Sequence, residues 1–60
     1  MTAVRREITT AAMECHIEKR DAIAAALRST YCQHERAELI RQHAEAARCV
    51  TIFESELAKA

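Results

Sequence analysis

Along the second half of the chain, spacings of four and three alternate through Cys32, Arg36, Leu39, His43, Ala46, Val50, Phe53, Leu57 and Ala60. That is the period of a helix with one buried stripe, the kind that lines a coiled-coil seam. Its C-terminal half is the bulkier. Ile40 and Ala47 widen the stripe, and Arg41, Glu45, Arg48, Glu56 and Lys59 fall on the far side. Arg41 and Glu45 are four apart and Glu45 and Arg48 three apart, so each pair can bond across one turn.

The first half carries two apolar stripes. One is narrow and mostly small: Val4, Ile8, Ala11, Cys15, Ala22 and Ala26. The other holds Met13, Ile17, Leu27 and Tyr31, about half a turn away, with Ile23 between. A helix with two apolar stripes touches two neighbours. In a hairpin one neighbour is the chain's own second helix, and the other comes from a partner. The turn is expected near Arg28 to Tyr31. Ser29 and Thr30 are good N-caps, and Thr30-Tyr31-Cys32-Gln33 fits a capping box. The pattern predicts helix one over about residues 2–28 and helix two over about 32–59. Asp21 could instead cap a separate short helix. The alternation of four and three also runs backward without slipping, so one unbroken helix of roughly 90 Å is a further alternative. Its middle would hold Glu18, Ala22, Ala25, Ser29 and Arg36, a poor seam.

Composition narrows the class. There is no Gly and no Pro, which sheets and tight hairpin turns normally need. Ala, Arg and Glu favour helix. Sixty residues make one domain, 1–60, with a poor ratio of buried to exposed surface. Much of the apolar count is alanine. Such a chain normally needs a disulfide, a metal or a partner. The fold expected is therefore all-α: an antiparallel two-helix hairpin that dimerises into a four-helix bundle. Its core and dimer seam would draw on Ile8, Cys15, Leu39, His43, Val50, Phe53 and Leu57.

Nine basic and nine acidic residues balance to zero net charge, which gives no general pull toward nucleic acid or anionic lipid. No run of apolar residues has the length of a signal peptide or a membrane span. A cytoplasmic protein is the expectation, and its three cysteines, an odd number, are then free thiols.

Candidate chemistry is sparse. Cys15, His16 and Cys49 could supply part of a zinc site, with Cys32 and His34 at the turn. None of these pairs has a recognised ligand spacing, and free Cys at a seam acts as a small hydrophobe. His43, in mid-seam, reads as a register-setting polar residue before it reads as a pH switch. Glu7, Glu14, Glu18 and Asp21 form an acidic strip without the desolvated pocket that acid–base work needs. No nucleophile motif is present, so neither an enzyme nor a cofactor is expected.

Arg5, Arg6, His16, Lys19 and Arg20 cover much of one side of helix one, and Tyr31 could stack on a base. His43-Ala44-Glu45, followed by Arg48-Cys49, resembles part of the Rop-type plasmid protein family over seven positions with one gap. That resemblance implies a helical-hairpin dimer that binds RNA, for which Arg5, Arg6, Lys19 and Arg20 are this chain's candidate contacts. The alternative is that these cations solubilise the helix.

Two features point instead to a protein partner. Ile52 stands on the charged face of helix two, and the stripe of Met13, Ile17 and Tyr31 exceeds what a dimer can cover. Apolar surface edged by charge often marks an interaction site. The function expected is thus a small protein-interaction module, an adaptor or inhibitor of a larger target. It would act as a homodimer through Met13, Ile17, Tyr31 and Ile52. Its size and composition suit a bacterial or phage accessory protein.

Overall fold

The computed structural model describes residues 2–59, so Ala60, the last position of the predicted seam, lies outside the described residues. Two helices make up almost all of it: α1, Ala3–Ser29, and α2, Gln33–Lys59. There is no strand among the described residues. Each helix has 27 residues, or roughly 40 Å at 1.5 Å per residue. They lie side by side in a hairpin measuring 45 × 14 × 11 Å. α1 runs through Asp21 without a break, so no third helix starts there. The chain turns back after Ser29, which removes the single long rod as well.

Local chemistry explains the ends. Thr2 is extended, and its Oγ1 accepts from the Arg5 amide at 3.2 Å, an N-cap for α1. The Arg6 amide closes the first turn on the Thr2 carbonyl at 2.9 Å. At the other end the usual left-handed glycine cap is missing, since the chain has no Gly and no described residue has positive φ. Side chains take over. Thr30 Oγ1 donates to the Ala26 carbonyl at 2.7 Å, and Ser29 Oγ donates to the same oxygen at 3.3 Å. Thr30 thus finishes α1, where the capping-box pattern placed it at the start of α2. α2 begins one turn later, with the Arg36 amide bonded to the Cys32 carbonyl at 2.9 Å.

Arg36 joins the two helices. Its Nη1 donates to the Leu27 carbonyl at 2.6 Å and to the Thr30 carbonyl at 2.9 Å. A guanidinium here meets two needs at once. It satisfies carbonyls that the end of α1 leaves open, and it places positive charge at the negative end of the α1 dipole.

Beyond the turn, spacings of four and three run along both facing surfaces. On α1 the covered positions at this spacing are Thr9, Met13, His16, Arg20, Ile23 and Leu27, with half-buried Ile17 beside them. On α2 they are Leu39, His43, Ala46, Val50, Phe53 and Leu57. The core is thin. Ile23, Ala46 and Val50 are its buried apolar members, Thr9 is buried with them, and no large described side chain is fully enclosed. The hairpin exposes 4522 Å². A compact chain of 6.8 kDa is expected to expose about 4000 Å², so this one leaves more surface than its size requires.

Replacing Arg36 by Met keeps most of the aliphatic stem and removes both charge-assisted bonds. The expected loss is about 1–3 kcal/mol of stability, read as a lower urea midpoint at fixed protein concentration. An unchanged midpoint would mean that the turn holds without the clamp.

Candidate functional site

The histidines and cysteines do not gather. His16 is half-buried and stacks on Phe53 across the helix interface, ring centroids 5.5 Å apart and planes 27° from parallel. His43 is half-buried in the α2 seam. Cys15 and Cys32 are exposed, Cys49 is half-buried, and all three are free thiols. Among the described residues no three of His, Cys, Asp or Glu are placed to hold a metal ion. The candidate ligand His16 is instead packing against an aromatic ring.

The two stripes of α1 are separated as their spacing requires. Met13 and Ile17, the candidate partner contacts on this helix, are half-buried on the side toward α2. Tyr31 is parted from them because it belongs to the connection rather than to a helix, and it is 88% exposed. Ile8 and Cys15, read as seam residues, lie outside the hairpin's own core. Ile8 is 65% and Val4 66% exposed, and Ala11, Cys15 and Ala22 are exposed beside them. The α2 seam residues Leu39, His43, Val50, Phe53 and Leu57 all face α1, Val50 most deeply.

α2 presents its own outward apolar residues. Ile40 and Ile52 are each about half exposed. Twelve residues apart, they stand about a third of a turn from one another. Ile52 has exposed Arg48 and Glu56 one turn to either side, the charged edging that suits a contact patch. Toward the turn, Arg41 bonds Glu38 and, at 2.9 Å, Glu45. Gln42 Nε2 adds a bond to Glu38 at 3.1 Å. The bond from Arg41, then that from Gln42, holds the Glu38 carboxyl below its ordinary range, and Glu38 raises Arg41 in return. A lowered carboxylate stabilises above its unfolded pKa and ceases to as pH falls through the folded value. With its charged side chains open to solvent, this cluster steadies the helix surface weakly.

The cations named for nucleic acid fall in two pairs along one side of α1. Arg5, Arg6 and Lys19 are exposed, whereas Arg20 is half-buried and bonds Asp21 at 3.3 Å. A shallow depression of 340 Å³ lined by His34, Glu35, Glu38 and Leu39 belongs to α2 alone. It opens to solvent and brings no nucleophile and base together.

Arg36, Thr2 and the His16–Phe53 stack are the structural contributors that apolar periodicity does not reveal. A cation in the first turn after a helix end, at a seam position, is the signal that marks Arg36. Thr2 ahead of a helical run marks the cap.

The stack has a measurable consequence. Phe53→Ala should cost roughly 2–3 kcal/mol, toward the lower end for aromatic truncation because the ring is half-buried. Ile52→Ala, one residue away on the outer face, should stay within about 0.5 kcal/mol. Equal effects in urea unfolding would mean that the seam does not divide the two positions in this way. Comparison of the chain with protein-family models, curated proteins and solved structures gives no match.

Proposed function

We propose that this hairpin is a protein-interaction module, an adaptor or inhibitor that works as a homodimer and presents helix faces to a larger protein. One observation carries the proposal. Among the described residues the hairpin buries only three apolar ones and leaves Val4, Ile8, Ile40 and Ile52 at least half exposed, two on each helix. Burying a large aliphatic side chain is worth roughly 1.5–3 kcal/mol, so these residues are where this thin-cored chain has most to gain from association.

The two helices suit different partners. The α1 stripe runs along one face, broken only at Glu18, and is mostly small, which favours another helix lying close against it. Ile52 is isolated among charges, which favours a patch on a folded target with a polar rim. A second copy on α1 would cover its stripe and leave the outer face of α2 open. The supporting features are burial, spacing and charge.

Sedimentation equilibrium tests the first half. A dimer is expected, weakened at least tenfold by Ile8→Asp, which is about 1.4 kcal/mol. A monomer at every concentration would defeat it. Ile52→Asp tests the second half, with capture from the source cell compared between wild type and variant at equal helicity. Ile17→Asp is a poorer probe, because Ile17 packs toward α2 and its loss would disturb the hairpin. Capture unchanged by Ile52→Asp would remove the α2 face as the target site.

A further inference from the structure

We propose that two copies pair α1 against α1 in parallel, turn end beside turn end, through Val4, Ile8, Ala11, Cys15 and Ala22. This rests on the homodimer reading above and adds which helix pairs and in which direction. The five residues are exposed in the hairpin. Their spacings of four, three, four and seven follow one coiled-coil seam, with Glu18 in the skipped position. At 100° per residue the seam lies a little over a third of a turn from the face that packs on α2. A second helix can lie there without meeting α2. Ala11, Cys15 and Ala22 let it approach closely, while Val4 and Ile8 supply bulk at the open end of the hairpin.

The edges of the seam select the occupant and its direction. One edge carries Glu7, Glu14 and Asp21, and the other carries Arg5 and Lys19 with Ala12 and Ala26 between and beyond them. All five charged residues are exposed. Asp21 is already engaged by Arg20, while among the described residues Glu14 and Lys19 make no ion pair within the hairpin. Antiparallel pairing of two such helices would set acidic edge on acidic edge. Parallel pairing sets unlike edges together, so that Glu14 of each copy falls beside Lys19 of the other, twice by symmetry. Edge charges of this kind choose partner and orientation more than they add affinity. The stripe is therefore complementary to itself in one direction. The same pairing brings Glu18 against Glu18 of the second copy, an unfavourable layer that holds the association below what the seam would otherwise give.

Two single-cysteine proteins test the geometry, both with Cys32→Ser and Cys49→Ser. One retains Cys15, and the other carries Cys15→Ser with Ala22→Cys. Circular dichroism checks that each remains helical, and sedimentation equilibrium under reductant checks association. Oxidation by a copper–phenanthroline reagent is then read on a non-reducing gel. Both proteins should form a covalent dimer efficiently when folded and poorly in denaturant, because in parallel pairing each position faces its own copy. Glu18→Leu should tighten dimerisation at least tenfold. A sedimenting dimer in which neither cysteine cross-links would overturn parallel α1 pairing and leave the homodimer standing. A dimer that cross-links only through Cys15 would do the same, since an antiparallel crossing can bring one position together but not both. A monomer at all concentrations would overturn the homodimer and this pairing together.

Discussion

The Arg36 clamp is the contact on which the hairpin geometry depends. The first helix ends without the left-handed cap that glycine commonly supplies, since the chain has no Gly and no described residue takes positive φ, yet α1 must stop and reverse within three residues, Thr30 to Cys32. Ser29 and Thr30 hydroxyls serve one open carbonyl, and the Arg36 guanidinium, arriving from the opposite helix, serves two. Because Arg36 sits on the α2 seam, the bonds that end α1 also set the first layer between the helices. Spacings of four and three on both surfaces carry that register along the hairpin, through the middle of α1, where His16 meets Phe53.

With its register held at the clamp, the seam tolerates polar residues. Thr9, His16 and Arg20 take three of the six facing positions on α1, and His43 takes one on α2. His16 and Arg20 manage their polarity locally. His16 offers a ring face to Phe53, and Arg20 reaches Asp21 at its exposed end. Polar side chains in the seam fix alignment at the cost of apolar burial, which is why, among the described residues, only Ile23, Ala46 and Val50 of the apolar ones are buried. The larger aliphatics not used there stand outside. A thin core and an apolar exterior are two sides of one allocation.

That allocation also explains how much of the fold is legible in the residues. The all-helical class and the α2 seam from Leu39 to Leu57 follow from periodicity, because apolar side chains hold most of that stripe. The face by which α1 meets α2 is harder to see, since the three polar residues interrupt it and the stripe of Val4, Ile8, Ala11 and Cys15 looks cleaner. Helical spacing groups Tyr31 with Met13 and Ile17, but that spacing ceases to apply once the chain leaves the helix at Ser29. Thr30 satisfies a capping-box pattern, yet its hydroxyl goes to Ala26, because a threonine between two helices can serve either end and α1 offers an open carbonyl nearer by. Arg36 shows in the spacing only as a flaw in the seam. A cation at a seam position reads as a defect until the preceding helix end is known to lie beside it.

The two outward faces bear on function through their difference. A stripe as long as that of α1 is matched best by another long helix, because partial cover leaves the remaining apolar positions wet. An isolated isoleucine between an arginine and a glutamate, as on α2, needs only a small pocket with polar edges, which a folded protein of any class can provide. A helix laid on the α1 stripe would add core to a chain short of it, so it could govern stability. A contact at Ile52 would add little to the fold, and Ile52 can therefore change without loss of the hairpin. Under the proposed interaction role that separation would be useful: a recognising face on α2 could vary while a stabilising face on α1 stayed fixed. In an arrangement with α1 helices together, both copies also keep their α2 surfaces outermost, so one dimer would offer two equivalent faces and gain from any target that can engage both at once.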